Sequence, residues 1–260
     1  MLGEGERQRA GERGPAGSAA KWRVLVDAII FDCDGVLVDS EAICVDAELT
    51  FLADAGMQFE RAAYMQEYMG LTVDEWRTRL GVQIRAHTGK AVATDFFASL
   101  DAFVMRMMSL HLTALPGIHE AVASLDLPRC VASSTTFERL MWKLRHTGLL
   151  DLFAPHVFSA EMVANGKPAP DLFLHAAATL GVDPLRCVVV EDSVNGVRAG
   201  RAAGMAVIGF TAGGHCLDGH AASLAANGAD VVIDAFADLE GTVDRLHSAR
   251  RGGGGRAIVS

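Results

Sequence analysis

The sequence predicts an α/β protein: a doubly wound, Rossmann-like parallel sheet with an α-helical cap inserted after the first strand. Three observations carry this reading. Short aliphatic and β-branched runs alternate with stretches of helical spacing, the pattern of right-handed βαβ crossovers onto a parallel sheet. One long segment, residues 42–112, breaks the alternation with Met-, Phe-, Leu- and Ala-rich helical stretches and no convincing strand. Two of the strand-like runs stop abruptly at pairs of acids, at the sheet edge where folds of this kind bind ligands.

The elements follow in order. Val24 to Phe31 reads as a buried strand that stops at Asp32-Cys33-Asp34-Gly35. The helical insertion comes next, punctuated by Gly56, Gly70, Gly81 and Gly89, and Leu115-Pro116-Gly117 leads back to the alternating region. Further strands are expected at Cys130 to Ser133, Val157 to Ser159, Cys187 to Val190, Ala206 to Phe210 and Asp230 to Ile233. Helices are expected at Ile118 to Leu125, Phe137 to Thr147, Pro170 to Leu180, Asn195 to Ala203 and Ala237 to Leu246. The expected division is a core of residues 23–41 and 113–248, a cap of residues 42–112, a flexible leader of residues 1–22 and a flexible tail of residues 249–260. Inserted at a strand's carboxyl end, the cap reads as a lid over the site. The Gly-, Arg- and Glu-rich leader has no apolar core and does not fit a secretory signal. A flexible leader or a start codon placed too far upstream fits it.

Composition narrows the function. The chain has 260 residues, half of them hydrophobic and 21% charged, so it has the means for a packed core. A net charge of -9 argues against an electrostatic nucleic-acid binder. No apolar run is long enough for a bilayer, so no membrane partner is expected. The five cysteines are scattered and never spaced as C-x-x-C, which suits a reducing cytoplasm rather than a disulfide framework. The sequence sets no oligomeric state.

The chemistry concentrates at the strand ends. Asp32 and Asp34 are two residues apart, so on extended backbone they face one side while Cys33 faces the other, and Gly35 permits a sharp turn. On their own they read equally as a reactive pair or as acids in a solvated turn. Glu191 and Asp192 end a second strand. Parallel strands share their carboxyl ends, so four carboxylates should meet, which needs a cation, Mg²⁺ above all. Asp192 or Ser193 also suits the N-cap of the next helix. Ser133, Ser134 and Thr135 end a third strand and read as an ordinary N-cap or as part of an anion cradle. Lys167 is a lone cation on a loop stiffened by Pro168 and Pro170.

Taken together, Phe31 to Ser40 (FDCDGVLVDS), Val131 to Thr135 (VASST), Gly166 to Phe173 (GKPAPDLF) and Val190 to Gly200 (VEDSVNGVRAG) resemble the haloacid dehalogenase superfamily. The nearest branch is that of small sugar phosphatases and β-phosphoglucomutase-like enzymes with a helical cap. The resemblance implies a Mg²⁺-dependent phosphatase acting on a small phosphorylated metabolite, a sugar or polyol phosphate, through an aspartyl-phosphate intermediate. It implies that Asp32 is the nucleophile and that Asp34 is the acid and then the base. Ser133, with Ser134, would bind the phosphoryl group, and Lys167 would balance its charge. Asp32, Asp34 (through its carbonyl), Glu191 and Asp192 would hold the metal. Asp34 favours phosphate esters over dehalogenation, since the family's dehalogenases typically lack that acid.

A phosphosugar mutase is the alternative, and two positions argue against it. Cys44 and Val73 stand where the mutase pattern places a His and an Arg, although Lys90 or Arg106 could supply a cation instead. A non-catalytic member is disfavoured by the complete acid set. Outside these motifs, the spacing of His215, Cys216 and His220 could suggest a soft-metal site, but in a Gly-rich loop with no carboxylate or paired thiols they read as a plain loop. Met105, Met107, Met108, Trp76 and Trp142 read as packing residues.

Overall fold

The computed structural model describes residues 26–249; the leader, residues 23–25 and the end of the tail lie outside that range. Among the described residues six strands form one parallel sheet: β1 (Ala28–Phe31), β2 (Arg129–Ser133), β3 (Val157–Ser159), β4 (Cys187–Glu191), β5 (Ala206–Phe210) and β6 (Val231–Ile233). Their spatial order is β3-β2-β1-β4-β5-β6. The chain winds outward from β1 in both directions, so a crevice opens at the carboxyl ends of β1 and its two neighbours.

Both faces of the sheet are covered, and the two-residue strand period shows how. Ile29 and Phe31 of β1 enter one apolar cluster, whereas Ala28 and Ile30 enter the other. The first cluster is closed by α5 (Ile118–Ser124), α6 (Phe137–His146), α7 (Leu150–Phe153) and α11 (Leu239–Ala249). The second is closed by α8 (Asp171–Leu180), α9 (Val194–Ala202) and α10 (His220–Ala226). Each Val, Leu, Ile or Phe buried this way contributes about 1.5–3 kcal/mol.

The helical segment comprises α1 (Ser40–Asp54), α2 (Arg61–Tyr68), α3 (Val73–Thr88) and α4 (Phe96–His111), which share a third apolar cluster. Helix α3 is delimited by its own sequence. Thr72 and Glu75 form a reciprocal capping box, and Gly89 ends the helix in the left-handed conformation. Met108 is buried in this cluster, and Met105 and Met107 pack against it, as their pattern suggested. Among the described residues no helix is long and apolar enough to cross a membrane.

The expected elements differ from these in detail. β1 begins at Ala28, and the first two residues of the expected strand, 24 and 25, lie outside the described range. Helices α7 and α10 are additions that the sequence pattern did not indicate; at four and seven residues they are too short to show a helical period.

Candidate active site

Strand register assembles the site. Phe31 pairs with Val131 on one side and Val190 on the other. The next residues, Asp32, Ala132 and Glu191, therefore lie level at the mouth of the crevice. Asp32 remains tied to the sheet through its N–H, which donates to the Val190 carbonyl at 3.0 Å. The backbone then turns at Gly35, with φ +74°, and Gly35 N–H returns to the Val38 carbonyl at 2.8 Å. A Cβ on Gly35 would lie 1.9 Å from Asp192 Oδ2, so only glycine lets that carboxylate come so close to the β1 loop. Gly196 serves Glu191 in the same way: a Cβ there would lie 1.8 Å from its carboxyl group.

These groups line one cavity of about 590 Å³ between the sheet edge and the helical segment. Asp32, Asp34, Ser133, Ser134, Lys167, Glu191 and Asp192 all line it, whereas Thr135 does not. Cys33 turns away into the core, as the alternation required.

Two lysines divide the acids between them. Lys167, 4% exposed, donates to Asp32 Oδ1 and Glu191 Oε1, each at 2.5 Å, and to the Ala132 carbonyl at 3.0 Å. The lone loop cation is thus a buried bridge. Lys143 of α6 donates to Asp34 Oδ1, an interaction the sequence reading missed. Its signal was present: Lys143 shares the buried stripe of α6 with Leu140 and Leu144, an odd place for a lysine unless it has a buried partner. Ser40 also donates to Asp34 Oδ1. Thr135 Oγ1 donates to Oδ2 at 2.6 Å, and Ser133 Oγ lies 3.4 Å from the same oxygen.

The consequences for protonation follow. Burial raises Asp32 well above the usual carboxylate range; Lys167 opposes this, and Glu191 and Asp192 add to it. Asp192 is raised by burial and by Glu191 beside it. For Asp34 burial also pulls upward, but the Lys143 charge and the hydrogen bonds from Lys143, Ser40 and Thr135 outweigh it and hold the group at about 2. Both lysines are raised by their acids against the downward pull of burial.

The donor set fits a hard dication. Asp32, Glu191 and Asp192 present buried carboxylate oxygens to one space, and Asp32 and Asp192 are pushed toward protonation by burial first and by the neighbouring acids second, a cost that a dication would relieve. Ser193, and not Asp192, caps α9: its hydroxyl accepts from Gly196 N–H while donating to Glu191 Oε2 at 2.9 Å. Asp192 is left free of capping and faces His215, whose Nε2 is 2.9 Å from Oδ2. His220 Nε2 lies 2.6 Å from the Asp192 carbonyl.

The roof comes from the helical segment. Glu48, Tyr64 and Trp76 form a chain: Trp76 Nε1 donates to Tyr64 Oη at 3.1 Å, and Tyr64 Oη donates to Glu48 at 2.8 Å. Trp76 is therefore part of the cavity wall and not packing alone. Burial raises Glu48 to about 7, with Tyr64 opposing and Glu41 adding. Cys44 and Val73 line the cavity, whereas Lys90 and Arg106 do not. The cations in its wall are instead Arg77, Arg139 and Lys167, and Arg139 is paired with Asp101 at 2.7 Å.

The family model for haloacid dehalogenase-like hydrolases matches residues 26–204. The chain is a haloacid dehalogenase-like hydrolase. This hydrolase is 30% identical over 190 residues to the 6-phosphogluconate phosphatase of Escherichia coli K12, covering 73% of this chain and 85% of that one. It is 37% identical over 185 residues to hexitol phosphatase B of the same organism, covering 68% and 80% of the two chains. Among solved structures, a hydrolase of the family from Deinococcus radiodurans R1, with phosphate and sodium bound, aligns with a TM-score of 0.76 at 32% identity over 86% of this chain and 97% of that one.

Proposed function

We propose that this phosphatase hydrolyses small sugar or polyol phosphate monoesters through an aspartyl-phosphate formed on Asp32, with Mg²⁺ as cofactor. One observation carries the reading. Asp32 and Asp34, two residues apart in one cavity, are held by different lysines, and the Ser133–Ser134 strand end and the Glu191–Asp192 pair line the same space, which brings a nucleophile, an acid/base, a phosphate cradle and a cation site together. The relatives that are phosphatases of 6-phosphogluconate and of hexitol phosphates support the substrate class.

The roles follow from position. Asp32 attacks phosphorus and the bond from phosphorus to the ester oxygen breaks; water then attacks phosphorus and returns Asp32 as a carboxylate. Asp34 serves the leaving oxygen as acid and the incoming water as base. A carboxyl group held at about 2 is ionised at neutral pH, so the acid step requires Asp34 to swing out of the Lys143 pair toward the cavity. Ser133, Ser134 and Lys167 bind the phosphoryl oxygens. Asp32, Glu191, Asp192 and the Asp34 carbonyl would hold Mg²⁺, which when bound supplies positive charge to the equatorial oxygens. Residues 42–112 act as the cap, and the Glu48–Tyr64–Trp76 chain offers hydroxyl-binding groups to a polyol.

Water, and not a second sugar hydroxyl, is the acceptor, because Cys44 and Val73 replace the His and Arg of the mutase pattern in the same cavity. The test supplies hexitol phosphates, or a hexose 1-phosphate with a trace of the 1,6-bisphosphate, in Mg²⁺. Stoichiometric phosphate release is expected. Hexose 6-phosphate accumulating faster than free phosphate would refute hydrolysis.

A further inference from the structure

We propose that His215, Cys216 and His220 form a second metal site, for a soft cation of the Zn²⁺ type, whose occupation draws Asp192 away and slows hydrolysis. The metal-binding half stands on geometry alone; the inhibitory half rests on the reading of Asp192 as a ligand of the catalytic cation.

Among the described residues, one group of three His, Cys or acidic side chains brings its ligand atoms all within 4.8 Å of one another, and it is this one. That proximity reopens the soft-metal reading that the sequence set aside. Tetrahedral Zn²⁺, with Zn–N near 2.0–2.1 Å and Zn–S near 2.3 Å, places its ligands roughly 3.3–3.7 Å apart. Cys216 Sγ and His215 Nε2 are already 3.6 Å apart. The set differs in class from the catalytic one: two imidazoles and a thiol select soft or borderline ions, whereas the carboxylates beside them select hard ones.

The surroundings favour a ligand role for His215. Its ring is 4% exposed and closely fenced, since a Cβ on either Gly35 or Gly213 would come within 2.6 Å of it. Its Nδ1 is buried with no hydrogen-bond partner, and Nε2 is the nitrogen presented to both Cys216 and Asp192. Cys216 and His220 are half-buried and leave a way in from solvent. The coupling to catalysis is direct. His215 Nε2 holds Asp192 Oδ2 at 2.9 Å, and one nitrogen does not serve a proton and a metal together. When the metal takes that nitrogen, the Asp192 carboxylate is in reach as the fourth donor, and it leaves the catalytic set.

The experiment titrates Co²⁺ into the full chain in excess Mg²⁺ and follows thiolate-to-cobalt charge transfer in the near ultraviolet. One equivalent is expected to bind in the wild type, and the band is expected to vanish in Cys216→Ser. A missing band, or one that persists in Cys216→Ser, would overturn the site. In parallel, aryl phosphate turnover in Mg²⁺ is measured as Zn²⁺ is raised. Cys216 touches none of the reacting groups, so the variant should match wild type without Zn²⁺ and need at least about tenfold more Zn²⁺ for half inhibition. Equal inhibition of both would refute the inhibitory link. If neither turns over in Mg²⁺, the phosphatase reading fails, while the cobalt titration still decides the metal site.

Discussion

The floor and the roof of the cavity are built on different principles. The floor gathers Asp32, Asp34, Glu191 and Asp192, at or just past the ends of β1 and β4, beside Lys143 on α6 and Lys167 on the loop before α8. The roof is largely apolar and aromatic, with Glu48, Tyr64 and Trp76 as its polar chain. Within the floor, Asp32 shares Lys167 with Glu191 and is raised, while Asp34 has Lys143, Ser40 and Thr135 and is lowered. On the proposed function, the difference assigns the choice of chemistry to the floor and the choice of ester to the roof. Damage to the floor should abolish or slow the chemical step, and damage to the roof should change selectivity.

The largest effect should come from the metal. Excess EDTA is expected to abolish turnover, and Asp192→Ala should raise the Mg²⁺ concentration needed for half activity while far-ultraviolet circular dichroism stays unchanged. Full activity in EDTA would break the account of the floor. Next, Asp34→Asn should slow hydrolysis of alkyl phosphates by about 10²–10⁴. The loss should shrink for aryl phosphates, whose leaving groups need less help from an acid. An equal loss for both would remove Asp34 from that role.

The roof should respond differently. Trp76→Ala is expected to raise KM for hexitol phosphates by roughly tenfold, the worth of about 1.4 kcal/mol of binding, with kcat for an aryl phosphate nearly unchanged. A collapse of kcat for both substrates would make the roof part of the chemistry.

The smallest effect concerns Glu48. Its folded pKa, about 7, lies above the ordinary 4.5, so the folded state binds the proton more tightly than the unfolded chain. That contribution to stability is complete below about 4.5 and is lost as pH rises through about 7. The Tm advantage of Glu48→Gln over wild type should therefore grow from about pH 5 to about pH 8. A pH-independent difference would mean that Glu48 is not held as described.

The floor was legible in the sequence because strand ends carry a local signature: an apolar run halted by acids gives both the element and the side chains at its edge. Asp32, Asp34, Ser133, Ser134, Glu191 and Asp192 all follow from that and line one cavity. Lys143 was not legible from the strands, since its place depends on which face of α6 meets the sheet. The roof was least legible, because its wall comes from separate helices whose mutual packing no local pattern states. Trp76 read as packing until α3 placed it beside Tyr64. His215 and His220 were set aside for want of a nearby carboxylate, because a Gly-rich loop brings them to Asp192 only through contacts distant in sequence.

The central claim, that Asp32 takes the phosphoryl group, is tested most directly by trapping it. The protein is mixed with a hexitol phosphate in Mg²⁺, quenched within one turnover and treated with borohydride, which reduces an acyl phosphate to an alcohol. The peptide carrying residue 32 is then read by mass spectrometry. Conversion of Asp32 to homoserine is expected, appearing and decaying at the rate of turnover and absent in Asp32→Asn, which should itself release phosphate only at background. Burst release of the alcohol with Asp32 unmodified, or near wild-type turnover by Asp32→Asn, would contradict the account.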